Sequence, residues 1–272
     1  MSDRVGSNVS GSDTPRSSLL AELTWPEAEA ALAEAEVVLI PLGSNEQHGP
    51  GMTLSTDITL ATAVAVRVAE RLRPRALVAP SLPFGLSPHH MNFPGSITLQ
   101  PETFGAVLFD VMRSLKKHGA KRFFLLNGHG GNQAYLSVIA TQARLELGVP
   151  VATAIYLAAA SDLLKERFGR SYAHACEIEA SLGLAIAPQI VRTAAMAKGE
   201  ELPPRFRHTA LAGGGAPAGA FVDAAAKFEE ITANGNLGDP RLGTREDGEA
   251  IVALAVERLA EFLEDFTASP LV

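Results

Sequence analysis

Cysteine is almost missing from this chain. Cys176 is the only one in 272 residues, which excludes an intrachain disulfide and any zinc site built on cysteine pairs. Long apolar runs are missing too, since none approaches the roughly 20 residues needed to span a bilayer. Dense Lys/Arg blocks do not occur, charged residues make up 19% and the net charge is −7. Neither a nucleic-acid backbone nor an anionic membrane surface is therefore an expected partner. The first eighteen residues lack the apolar segment of a signal peptide, and their Ser, Gly and Asp content reads as a disordered tail over 1–18. A reducing, cytoplasmic setting fits the lone cysteine. What the chain does have is 47% hydrophobic residues, enough for a sizeable core. Residues 19–268 read as a single domain.

Short apolar runs alternate with helical patterns. Residues 37–40, 75–80, 123–127 and 149–157 read as strands, the first two of them buried, and 19–32, 58–72, 101–118 and 132–147 as helices. Pro26 suits the first turn of the first helix, and Thr56 or Asp57 would cap the second. The order β-α-β-α-β-α-β predicts an α/β fold: a mostly parallel sheet with helices on both faces. Residues 199–235 have no clear period. A solvated loop is the default there, and a loop lending Arg205, Arg207 or His208 to a neighbouring site is one alternative.

The chemistry gathers after the first strand. Glu46, His48 and Asp57 fall within twelve residues, and positions i and i+2 of an extended chain point the same way. Glu46 and His48 can thus face one point beyond the strand's carboxyl end, where open α/β sheets place ligands. Two carboxylates and an imidazole make half of a metal site; a solvated polar loop is the competing reading. His129 sits in the glycine turn Gly128-His129-Gly130-Gly131 at another strand end. That turn could instead cradle a phosphate, although it is neither GxGxxG nor a Walker loop.

If residues 174–187 are a helix, Ile178, Leu182 and Ile186 define its apolar stripe, with Glu179 about 60° from the centre. A buried ionised Glu179 needs a metal or an arginine such as Arg144 or Arg192. Glu177 falls about 140° away beside His174 and Ser181, as a proton relay or a solvated helix edge. The Pro- and Gly-rich loop 81–99 carries His89 and His90, either as cover for the site or as surface residues.

Four motifs then occur in order: Glu46-Gln47-His48-Gly49-Pro50 with Thr56-Asp57; Phe93-Pro94-Gly95-Ser96; Asn127-Gly128-His129-Gly130-Gly131-Asn132; and His174-Ala175-Cys176-Glu177-Ile178-Glu179. With Gly238-Asp239-Pro240 and Gly243-Thr244 before the last helix, the chain resembles the creatininase family from about residue 18 to 266. The resemblance implies a three-layer α/β/α fold and two divalent metal ions, zinc or manganese with iron as a further option. It also implies a homohexamer, and hydrolysis of a C–N bond in a small amide, often cyclic. By motif, Glu46, His48, Asp57, His129 and Glu179 match metal-ligand positions, with Asp57 bridging. His174 matches a catalytic histidine, and Glu177 would assist it.

The departures bear on substrate. Creatininase carries a metal-ligating glutamate where this chain has Gly131, and a tryptophan that closes over creatinine where this chain has Arg170. The usual HGPHLP reads His48-Gly49-Pro50-Gly51-Met52-Thr53. Creatinine is therefore a poor expected substrate. The branch with this glycine turn also includes deformylases of pterin- and flavin-type pathways and a peptidase of peptide-derived cofactor synthesis. A metal-bearing scaffold without catalysis, and a metal-free sugar- or nucleotide-binding enzyme, are the other two readings.

Overall fold

Every residue of β1 (Val37–Leu42) is buried, and so is every residue of β3 (Phe123–Asn127) beside it. Strands covered on both faces need no polar alternation, which is why these runs read as continuous apolar segments. A computed structural model describes residues 17–170, 174–203, 209–210 and 222–271. With β2 (Ala76–Val78) and β4 (Val151–Ile155), the four strands form a parallel sheet in the order β2-β1-β3-β4. Strand side chains alternate between two cores. Val38, Ile40, Phe123 and Leu125 meet α1 (Trp25–Glu34), α3 (Pro101–Lys117) and α4 (Gln133–Leu147). Val37, Leu39, Phe124 and Leu126 meet α2 (Thr56–Arg71), α6 (Glu177–Ile186) and α7 (Arg245–Ala268). The result is the expected α/β fold in three layers. A short α5 (Ser161–Phe168), which carries no clear signal in the sequence, adds Leu164 to the second core.

Leu39 has no exposed surface and sits between β2 and β3. Leu39→Ala is expected to cost about 3 kcal/mol, the mid-range for a buried leucine whose site collapses only partly. The urea midpoint should fall with the slope unchanged.

Three expectations shift. Ser18 is buried and its carbonyl accepts the Val78 N–H at 2.8 Å, so the sheet edge claims the last residue of the expected tail. Residues 1–16 lie outside the described residues. Neither Thr56 nor Asp57 caps α2: Ser55 holds the N-cap position, Thr56 Oγ1 donates to the Thr53 carbonyl at 2.7 Å, and Asp57 lies buried in the first turn. Helix α6 starts at Glu177, and His174 pairs instead with Leu237 in an extended bridge.

Within 199–235, Thr209–Ala210 pairs in parallel with Val222–Asp223, and Phe228–Glu230 forms a tight turn. Arg205, Arg207 and His208 lie outside the described residues. Among the described residues no helix is long and apolar enough to cross a membrane.

Candidate metal centre

The carboxyl ends of β1 and β3 open onto the first turn of α2 and the first turn of α6. Glu46 and His48 follow β1, Asp57 opens α2, His129 follows β3 and Glu179 lies in α6. Gly128 makes this approach feasible, since a Cβ there would come within 2.6 Å of the Asp57 carbonyl oxygen. All five side chains are brought together. His48 Nε2 lies 3.0 Å from Asp57 Oδ1 and 3.7 Å from Glu179 Oε1. His129 Nδ1 lies 3.0 Å from Glu46 Oε2 and 3.3 Å from Asp57 Oδ2. Asp57 therefore faces both imidazoles, one oxygen to each.

The outer nitrogens of the two rings fix what the inner ones present. His48 Nδ1 is 3.2 Å from the Glu46 carbonyl and His129 Nε2 is 3.0 Å from the Leu86 carbonyl. A carbonyl only accepts, so those nitrogens carry the hydrogens. Each inner nitrogen then directs a lone pair at two carboxylate oxygens, an arrangement that holds only with a proton or a cation between them. His48 Nε2 and Asp57 Oδ2 are buried with no hydrogen-bond partner among the described residues. Glu46, His48 and Asp57 offer donor atoms all within 4.8 Å of one another, as do His48, His174 and Glu179. Nitrogen and oxygen donors in this number suit zinc or manganese.

Electrostatics tell the same story. Burial disfavours a charged His129, but the Glu46 carboxylate and then Asp57 outweigh it and lift the ring to about 10. Burial is likewise overcome at His48, which Asp57 and Glu179 raise well above its ordinary value. Asp57 is desolvated yet held below the usual carboxylate range by His48 and His129. Glu46 is raised, by burial above all. Without metal, a proton occupies the position a cation would take. A phosphate in the glycine turn would instead face Glu46 and Asp57, and the turn is already lined by Leu86 and His89.

His174 stands beside this pair. Its Nε2 donates to the Gln47 carbonyl at 2.8 Å, leaving the Nδ1 lone pair 3.8 Å from Glu46 Oε1. Burial and the neighbouring His48 keep the ring neutral. Glu179 Oε2 accepts the Ala175 N–H at 2.5 Å, and Ala175 adopts φ +51, a left-handed conformation costly for a residue with a Cβ. No arginine reaches Glu179 among the described residues.

Glu177 is not brought to His174. Its carboxylate pairs with Arg170 Nη2 at 2.9 Å and accepts the Asp239 N–H at 3.0 Å, and no hydrogen bond or ion pair joins it to His174 among the described residues. The solvated-edge reading of Glu177 also fails: the residue is buried, its carboxylate enclosed by Arg170 and the Gly238–Asp239 turn, while α7 packs along α6 at Ser181. That packing is close enough for a Cβ on Gly248 to meet the Ser181 carbonyl oxygen at 2.0 Å.

His90 is the residue the sequence underweights. It is 1% exposed, with Nε2 3.4 Å from Glu46 Oε1 and its ring stacked on Phe228 at 4.1 Å between centroids. Phe228 also meets His174 edge-on at 4.6 Å. Two adjacent histidines in a loop past a strand end were the available signal; Phe228 gave none. Ser87 Oγ donates to Glu46 Oε2 at 2.5 Å. A Cβ on Gly131 would lie 2.4 Å from both His129 Nε2 and the Leu86 carbonyl oxygen, so the space a glutamate side chain would leave through is closed by the 86–89 turn.

The family model for creatininase, described as creatinine amidohydrolase, matches residues 21–263. The chain belongs to the creatininase family. It is 32% identical over 270 residues to creatinine amidohydrolase of Pseudomonas putida, covering 92% of this chain and 97% of that protein. It is also 32% identical over 254 residues to the mycofactocin precursor peptide peptidase of Mycobacterium ulcerans (strain Agy99), covering 91% and 88%. A creatininase crystal structure superposes with a TM-score of 0.79 at 27% identity, covering 94% of this chain and 100% of that one. A mutant creatininase of Zn–Zn type (TM-score 0.78, 28% identity) and an Mn creatininase (TM-score 0.76, 28% identity) each cover 93% of this chain and 100% of their own.

Proposed function

We propose that this family member is a metal-dependent amidohydrolase that cleaves a C–N bond of a small amide. The observation that carries the reading is the pair of buried imidazole lone pairs, each aimed at two carboxylate oxygens. Glu46, Asp57 and His129 would hold one divalent ion, and His48, Asp57 and Glu179 the other, with zinc or manganese as the metal. Such ions lower the pKa of water toward neutrality and polarise an amide carbonyl. His174 does the proton work: Nε2–H is fixed on the Gln47 carbonyl, and Nδ1 is free to take a proton from the nucleophile. It then delivers that proton to the departing nitrogen, without which the tetrahedral adduct would expel oxygen again. Glu177 serves this reaction at a distance, by holding Arg170 and the 238–239 turn beside the His174 strand.

The substrate reading is broader than creatinine. One relative is a creatinine amidohydrolase and the other a precursor peptide peptidase, and the shared chemistry is an amide C–N bond. Gly131 and Arg170 depart from the creatininase pattern, so small lactams, cyclic ureas, formamides and short peptides are the set to screen with added zinc or manganese. A cytoplasmic homohexamer is our reading of the lone cysteine and of the family resemblance.

Glu46→Gln and His129→Ala are expected to bind less metal and to lose all measurable turnover of whichever amide the wild type cleaves. Either variant keeping full metal content and wild-type turnover would overturn the assignment.

A further inference from the structure

Gln47 sits between Glu46 and His48 yet turns away from both, 5% exposed. Its amide is oriented twice over. The Gly49 N–H donates to Oε1 at 2.9 Å, and Nε2 donates to the Gly235 carbonyl at 3.1 Å. Gly235 has φ +87, and a Cβ there would come within 2.0 Å of Oε1, so the amide occupies a fitted seat.

One Nε2 hydrogen remains, and two imidazoles face it: His90 Nδ1 at 3.1 Å and His174 Nε2 at 3.0 Å. The Gln47 backbone carbonyl decides between them. It lies 2.8 Å from His174 Nε2 and only accepts, so that nitrogen already carries a hydrogen and cannot receive another. The amide hydrogen goes to His90 Nδ1. His90 must then carry its own hydrogen on Nε2, 3.4 Å from Glu46 Oε1. His174 directs a lone pair at the same oxygen from 3.8 Å.

We infer that Gln47 is a positioning residue that gives two neighbouring histidines opposite roles toward the site, His90 as a hydrogen-bond donor and His174 as the proton acceptor. The His90 N–H faces Glu46 Oε1, which leaves Oε2 to face His129. The same assignment rules out a third ion in the triangle of Glu46, His90 and His174, although their donor atoms lie within 4.8 Å of one another, because the site-facing nitrogen of His90 has no free lone pair. The inference rests on the amidohydrolase reading for its meaning, but its test does not.

Long-range proton–nitrogen correlation spectra of nitrogen-15-labelled protein, metal-free and zinc-loaded, report which ring nitrogen bears hydrogen. The expected wild-type result is hydrogen on Nε2 of both His90 and His174, with zinc saturating at two equivalents rather than three. Gln47→Glu nearly preserves shape and sets a carboxylate oxygen against His90 Nδ1. It should bring a hydrogen onto that nitrogen while His174, bonded to backbone, stays as it was. Gln47→Met removes the donor without adding charge and should abolish the single fixed state of His90, again sparing His174. Hydrogen on Nδ1 of His90 in the wild type, or a His90 signal unchanged in both variants, would overturn the inference. A wild type that takes up no zinc would instead sink the metal centre, and the metal-free spectra would still decide the role of Gln47.

Discussion

Asp57→Asn is expected to leave the protein without either ion, whereas Glu179→Gln leaves one. Asp57 is the group that faces both imidazoles, at 3.0 Å from His48 Nε2 and 3.3 Å from His129 Nδ1. An asparagine keeps the shape but replaces one oxygen with an NH2 group, which only donates. One ring nitrogen then has a donor in place of a bridging anion, and the net negative charge that draws two cations falls by one. Groups that merely orient a ligand cost 10–100-fold in affinity, so losing a shared ligand should exceed about 100-fold at both positions. Turnover should fall by about 10³-fold or more, since water activation and carbonyl polarisation go together. Glu179 touches the His48 side alone, so Glu179→Gln should keep an ion at Glu46, Asp57 and His129. Elemental analysis of the purified variants, with circular dichroism to confirm folding, gives the stoichiometries. Two equivalents bound to Asp57→Asn would refute the shared-ligand arrangement.

The parts of this centre that were legible in the sequence are those set by short-range geometry. Glu46 and His48 stand out because an extended chain repeats every two residues and an apolar run announces the strand before them. His129 stands out because a glycine turn follows another such run. Glu179 emerged from the helical angle, even though α6 begins three residues later than the pattern suggested, because the stripe of Ile178, Leu182 and Ile186 does not depend on where the helix starts. Glu177 was misread because its carboxylate is enclosed by Arg170 and by the Gly238–Asp239 turn, the latter more than sixty positions further on. Nothing local encodes that. His90, Gln47 and Phe228 were likewise hidden: they meet only after the loop past β2 and the turn at Phe228–Glu230 fold over the strand ends. Neither segment has a period to read.

The metal-free protein should lose melting temperature as pH rises from about 6.5 toward 8.5, and the zinc-loaded protein should not. His129 in the fold titrates at about 10, whereas an unfolded histidine titrates near 6.5. The folded state thus holds this proton more tightly, so the stabilisation it brings is complete below the unfolded value and disappears as pH passes through the folded one. His48 is raised by Asp57 and Glu179 against the effect of burial, and acts in the same direction. Glu46, raised by burial, does too. Asp57 has the opposite sign, but its folded value is depressed and its window lies in acid, below about 4. When two ions occupy the proton positions neither imidazole is left to titrate, and the melting curve should be flat from pH 6.5 to about 8.5; above that the Cys176 thiol, pushed up by burial, gives both forms the same further loss. The same linkage requires zinc uptake at pH 7 to expel about two protons, one from each imidazole, and affinity to rise about tenfold per pH unit for each proton displaced. Calorimetry in buffers of differing ionisation enthalpy measures the protons, and scanning calorimetry with chelator or zinc measures the stability. His129→Gln, which has no such proton to lose, should remove the His129 share of the metal-free slope and leave the share of His48. A metal-free wild type whose melting temperature holds constant from pH 6.5 to about 8.5 would mean that no proton bridges these carboxylates, and that the pocket is not built around positive charge.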